Sequence, residues 1–182
     1  RSAVATYSGV MDGLRRAFAQ TTDAKARGLH AGDFSYNTGS LRCPTCDGTG
    51  TISLDVQFLP DVEIDCPDCH GSRYAQAAWE VRRHTTRGAG GEKDDYVSLP
   101  QLMEMTVDEA LGRLGRLRRV AAKLQMLSDI GLGYLTLGEA TPALSGGEAQ
   151  RLKLASEMKR SQDDAVFVFD EPTIGLHPLD VA

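Results

Sequence analysis

Between Thr6 and Gln20 the apolar residues Val10, Leu14, Ala17 and Phe18 recur at helical spacing, which predicts one helix. After Thr21 the pattern loosens around Gly28, Gly32 and Gly39 and reads as loop. The period then changes. Residues 51–58 (Thr-Ile-Ser-Leu-Asp-Val-Gln-Phe) alternate polar with apolar. After Pro60 and Asp61 a second alternation follows over Val62, Glu63, Ile64 and Asp65, so a β-hairpin is expected. Residues 85–95 are rich in Gly and charge with no period, and an exposed, mobile loop is expected there. At Thr106-Val-Asp-Glu109 the chain has the form of a capping box that starts a helix. Leu117, Val120, Ala121, Leu124, Leu127 and Ile130 continue its apolar stripe until Gly131 and Gly133, both expected in the left-handed backbone that ends a helix. A third helix is expected from about Gly146 to Arg160, with Leu152, Ala155 and Met158 on one side. Residues 165–169 (Ala-Val-Phe-Val-Phe) form a continuous apolar run ending in Asp170 and Glu171, the pattern of a buried parallel strand that delivers acids at its C-terminal edge.

A chain of 182 residues can bury a core, and its 41% hydrophobic and 25% charged residues sit near globular averages. No apolar run approaches the roughly 20 residues of a membrane helix. The start, Arg1-Ser2-Ala3-Val4-Ala5, has neither an initiator Met nor an apolar signal core, so a cytoplasmic fragment of a longer protein is expected, with no membrane partner. A net charge of -5 argues against a surface coated in positive charge. Arg113, Arg116, Arg118, Arg119 and Lys123 nevertheless cluster locally, and such a cluster reads first as a solvated helix face.

All four cysteines fall in one pattern, Cys43-x2-Cys46 and, after 19 residues, Cys66-x2-Cys69, each pair beside turn residues such as Pro44, Gly48, Gly50, Pro67 and Gly71. Two thiolates on one tight turn can face a single metal, and two such turns joined by a hairpin complete a tetrahedron. Zinc suits four soft thiolates; disulfides and an iron-sulfur cluster are the competing readings, the first disfavoured in a reducing cytoplasm. With every position filled by sulfur the metal is structural. His70 is read as an exposed or supporting residue. The module either only staples a hairpin too small for its own core or also touches nucleic acid, with Arg73, Arg82, Arg83, His84 and Arg87 supplying phosphate contacts.

Leu144-Ser145-Gly146-Gly147-Glu148-Ala149-Gln150-Arg151 places a hydroxyl and two glycines ahead of a helix. Ser145 can cap that helix, while the glycines let an anion approach its free amides and dipole. The plainer reading is an ordinary capping box between Ser145 and Glu148. The stretch resembles the LSGG signature of ABC ATPases, and Asp170-Glu171 follows in the order that family shows. This resemblance implies that Ser145, Gly146, Gly147 and Glu148 face nucleotide held by another module, that Asp170 holds Mg2+, and that Glu171 polarises the attacking water. No G-x-x-x-x-G-K-[ST] loop occurs, so the chain alone is not expected to hydrolyse ATP.

The cysteine pattern with its glycines, Phe58-Leu-Pro-Asp-Val62, His70-Gly-x-Arg73-Tyr74, Tyr7-Ser-Gly-Val10, Met105 to Ala110 and Gly131-Leu-Gly-Tyr134 together resemble the C-terminal ATPase module of the UvrA family, the damage-sensing excinuclease subunits. The resemblance covers almost the whole chain. It implies an α+β fragment of an α/β ABC ATPase. Residues 1–40 would be a helix and linker, 41–95 a zinc-binding β-hairpin module inserted into a helical signature subdomain over 96–160, and 161–182 a Walker B strand and D-loop region. It also implies ATP-dependent DNA-damage recognition by a homodimer and hand-over to a downstream repair subunit through regions outside this chain. Gly175-Leu-His-Pro-Leu-Asp180 is similar to UvrA-like paralogues in drug or stress resistance, which gives the alternative function. A zinc-knuckle binding module, similar to chaperone C-x2-C-x-G-x-G repeats, explains the cysteines but neither Ser145 to Arg151 nor Asp170-Glu171.

Overall fold

The computed structural model describes residues 2–54, 62–85 and 96–157. The single helix expected between Thr6 and Gln20 is instead two, α1 (Val4–Tyr7) and α2 (Val10–Ala19). Gly9 divides them with φ of 69°, a left-handed backbone open to a residue without a Cβ. On α2, Val10, Leu14 and Phe18 are buried as the spacing predicts, and Ala17 is half-buried. A third helix, α3 (Thr22–Ala26), follows, its first turn capped where the Ala24 N–H donates to Thr21 Oγ1 at 3.2 Å. The loop expected beyond it buries Phe34, Tyr36 and Leu41 in the core.

β1 (Thr51–Leu54) and β2 (Val62–Asp65) form the expected antiparallel hairpin, with Ile52 opposite Ile64 and Leu54 opposite Val62. Among the described residues its alternation does not mark a buried face: every residue of β2 is exposed, and only Ile52 packs inward, against the cysteines. Phe58 lies outside the described residues. After α4 (Gln76–Trp79) comes a second antiparallel pair, β3 (Arg82–His84) with β4 (Tyr96–Ser98), too short for any period to announce it. Thr85, where the exposed loop was expected to begin, is buried. Residues 86–95 lie outside the described residues.

Helices then dominate. α5 (Leu99–Glu104) opens with a capping box between Ser98 and Gln101. The expected box opens α6 (Val107–Leu114): the Glu109 N–H donates to Thr106 Oγ1 at 3.2 Å and the Thr106 N–H to Glu109 Oε2 at 2.8 Å. The bond from the Thr106 N–H holds the Glu109 carboxyl below its ordinary range. Thr106→Ala is expected to cost about 1 kcal/mol, read as a lower denaturant midpoint with unchanged slope.

The stripe expected to continue from α6 is interrupted. Leu117 has non-helical φ/ψ of -86° and 71°, and α7 (Arg118–Leu127) starts after it. A π-turn over Ser128–Leu132 ends that helix, with Gly131 at φ 75° as expected. Gly133, expected to share that role, has φ of -61°. A Cβ there would displace the exposed Asp108 side chain, whose carboxylate lies 2.2 Å from where it would sit. α8 (Gly146–Glu157) starts where expected and buries Leu152 and Ala155; Met158, Arg160 and the strand expected over 165–169 lie outside the described residues.

One apolar core joins these helices through Leu14, Phe18, Leu102, Ala110, Leu124 and Leu152. α2 and α7 approach so closely that a Cβ on Gly13 would lie 2.5 Å from Val120 Cγ2. Among the described residues, no helix is long and apolar enough to cross a membrane.

Candidate functional site

The two cysteine turns are built alike. Each follows Cys-Pro-x-Cys with two residues of positive φ: Asp47 and Gly48 at 51° and 76°, His70 and Gly71 at 48° and 83°. In the first turn the Gly48 N–H donates to Cys43 O at 3.2 Å; in the second the His70 N–H donates to Cys66 O at 2.8 Å. Gly48 has no room for a side chain, since a Cβ would lie 1.7 Å from the Tyr36 carbonyl oxygen. These turns bring all four sulfurs, each buried, within 4.8 Å of one another.

The Sγ atoms of Cys43 and Cys66 are 3.8 Å apart and those of Cys46 and Cys69 3.6 Å. Tetrahedral zinc with bonds of about 2.3 Å sets sulfur separations of about 3.8 Å, whereas a disulfide needs about 2 Å. The donor set therefore fits a structural zinc ion. Burial pushes the Cys43 and Cys69 thiols above their ordinary range; for Cys46 burial acts the same way but is outweighed by the Gly50 N–H, 3.3 Å from its sulfur, and by neighbouring thiols. A cation is what lets four thiolates share one buried site. His70, beside Cys69, is exposed.

This module is tied to the helices by a narrow stem. The Cys43 N–H donates to Arg73 O at 2.9 Å and the Ala75 N–H to Leu41 O at 3.0 Å, around a bridge between Arg42 and Tyr74. Arg73, one of the expected phosphate contacts, turns inward: its guanidinium lies 5.0 Å from the Tyr36 ring centroid and donates to Gly138 O at 3.3 Å.

The other expected basic residues meet in space. A groove of about 500 Å³ is lined by Arg82, Arg83, His84 and Tyr96 from the β3–β4 pair, by Arg113 in the last turn of α6 and Arg116 beyond it, and by Asp23. Arg82 is exposed, its backbone N–H donating to Asp23 Oδ2 at 3.0 Å. Arg83 donates to Ala17 O at 2.8 Å, and burial lowers its pKa. Arg116 also lines an adjoining groove with Arg118, Arg119, Lys123 and Arg16, the last carrying no sequence signal beyond its place on the polar face of α2. The sequence cluster is thus partly engaged, since the Lys123 ammonium donates to Gly9 O. Arg87 lies outside the described residues.

At the start of α8 the capping box is realised: the Ser145 N–H donates to Glu148 Oε2 at 2.7 Å and the Glu148 N–H reaches Ser145 Oγ at 3.4 Å. Ser145 and Gly146 are exposed, with no atom within 4 Å of where a Gly146 Cβ would lie; Gly147 is buried. The tyrosine of the Gly-Leu-Gly-Tyr stretch reaches this helix, with Tyr134 OH donating to Glu148 Oε1 at 2.5 Å. Asp170 and Glu171 lie outside the described residues.

No family model matches the chain. UvrABC system protein A of Streptococcus pyogenes serotype M3 is 46% identical over 100% of the chain, which spans 18% of that relative. The same protein of Bacillus subtilis is likewise 46% identical with the same coverage. The crystal structure of UvrA2 from Deinococcus radiodurans matches 99% of the chain at a TM-score of 0.84 and 43% identity, over 21% of that protein. In sequence and in fold alike, this chain belongs to the UvrA family, as a segment much shorter than the relatives it matches.

Proposed function

We propose that the chain is part of a DNA-binding ABC ATPase that recognises DNA damage in nucleotide excision repair. The observation that carries the DNA reading is the meeting of Arg82 and Arg83 with Arg113 and Arg116 in one groove of a chain whose net charge is -5. Sequence-independent nucleic-acid affinity comes from such local cation density facing phosphates. In this reading the four cysteines hold structural zinc, and zinc keeps β1 and β2 at the end of their stem.

Ser145, Gly146 and Gly147 would close on ATP seated in the phosphate loop of another module, an arrangement that calls for a dimer. Their support is chemical: an exposed hydroxyl, a glycine with open space around it and the positive end of a 12-residue helix. Asp170 would hold Mg2+ and Glu171 would orient the attacking water. Hand-over to a downstream repair subunit would use regions outside this chain, in the cytoplasm.

The test is binding of the complete protein to damaged duplex DNA across a salt series. Affinity is expected to fall steeply with salt, and replacing Arg82 and Arg116 by Ala to reduce the log–log slope by about 1 for each phosphate left without its cation. Binding that ignores salt or both substitutions would overturn the reading. A second reading, a UvrA-like paralogue ATPase acting in drug or stress resistance, is favoured by one finding: a crystal structure that the chain matches is of UvrA2. Equal affinity for damaged and intact duplex would select it.

A further inference from the structure

Tyr134 is 59% exposed, so burial does not explain its position. Its backbone is nevertheless fixed on both sides. The Asp108 N–H donates to Gly133 O and the Val107 N–H to Leu135 O, both at 3.0 Å, so residues 133 and 135 are pinned to the first turn of α6. Gly133 also lies against the Asp108 carboxylate. From this rigid base the phenol reaches across to α8, and its hydroxyl donates to Glu148 Oε1 at 2.5 Å.

The other oxygen of that carboxylate accepts the Ser145 N–H at 2.7 Å. Glu148 therefore bridges Tyr134 and the backbone of Ser145. A glutamate at the third position of a helix has freely rotating side-chain bonds, and one cap hydrogen bond leaves its second oxygen able to swing outward. The second bond fixes the plane of the carboxylate. The shared proton stays on the phenol: its bond to Glu148 raises the Tyr134 pKa and, as the largest cause, lowers that of Glu148. Arg151, one turn further along α8, adds positive charge beside both groups.

We propose that Tyr134 is a positioning residue for the signature serine, acting through Glu148. The inference rests on the reading that Ser145, Gly146 and Gly147 contact ATP. An incoming triphosphate is strongly anionic, and a carboxylate loose at the same helix end would repel it. Tethered between Tyr134 and the Ser145 N–H, the carboxylate is held against the backbone, beside exposed Ser145 and Gly146.

The test is Tyr134→Phe in the complete protein, which keeps the ring and removes the hydroxyl. The kcat for ATP is expected to fall about tenfold, the equivalent of one hydrogen bond to a charged group, while the KM for ATP, set by the phosphate loop of the other module, changes less than about twofold. Thermal stability should be unchanged, because so exposed a hydroxyl buries nothing. In a Glu148→Gln background the same substitution should add no further loss, since the two act as one unit. Amide hydrogen exchange supplies a readout independent of turnover: the Ser145 N–H should exchange faster in Tyr134→Phe. Unaltered kcat, full additivity with Glu148→Gln, or unchanged Ser145 exchange would each overturn the proposal. If the unsubstituted protein turns over no ATP, the ATPase reading fails, and the exchange rate still decides whether Tyr134 holds Ser145.

Discussion

Stripping the metal from the complete protein is expected to unfold the region from Cys43 to Arg73 while the helices around it keep their structure. The asymmetry follows from where each part buries its apolar surface. Leu54, Val62 and Ile64 of the hairpin are all 40% or more exposed, and among the described residues the only apolar side chain against the four sulfurs is half-buried Ile52. A hairpin of this size is marginal by itself, so the metal bonds must supply what a core would. Structural zinc in small finger peptides is worth about 10–16 kcal/mol, far more than Ile52 can contribute. Cys66→Ser should have the same effect, because Cys66 is fully buried and shares its turn with Cys69. The helical core has its own buried residues and does not use the sulfurs. The checks are one zinc per chain by elemental analysis and, after chelation, loss of amide protection confined to residues 43–73. A disulfide in the purified chain, or a module that keeps its protection without metal, would contradict the assignment.

Glu171→Gln in the complete protein is expected to cut ATP turnover by about 10²- to 10⁴-fold with nucleotide binding nearly unchanged. The amide keeps the size of the side chain and its hydrogen-bonding reach but cannot polarise the attacking water as a carboxylate does. In the proposed arrangement binding would survive, because it would rest on other groups: the phosphate loop of the partner module, the metal at Asp170 and the signature at Ser145. Steady-state hydrolysis beside equilibrium nucleotide binding separates the two effects. Turnover near the unsubstituted rate would remove Glu171 from its role.

The features legible in the sequence are those whose cause is local. The box of Thr106 and Glu109 closes within one helical turn, each cysteine pair fits within one turn of chain, and the start of α8 follows from Ser145 and Glu148. The box of Ser98 and Gln101 carries the same signal with Pro100 in the first turn, and could have been found by the same rule. What sequence reasoning missed depends on distant partners. The carbonyl of Gly9, at the break between α1 and α2, finds its side-chain donor in Lys123, more than a hundred residues away. Arg73 reads as a surface cation until Tyr36 and Gly138 are seen to occupy it. Likewise, nothing between Arg82 and Arg116 in the sequence says that they line the same groove. Tyr134 was legible as part of a family stretch, but its hydroxyl acquires a role only once α8 lies across from it.

The stem of the metal-binding module has one more consequence. Because Arg42 and Tyr74 leave and re-enter the helical body side by side, the intervening chain closes on itself before the body is involved. The entropy of ordering that excursion is then met largely within it, and the body meets it at two adjacent chain ends and where Gly48 and Arg73 pack on Tyr36. Such an appendage can be lengthened, shortened or exchanged between relatives as a cassette, altering how far it extends from the surface without disturbing the packing of the helices from which it grows.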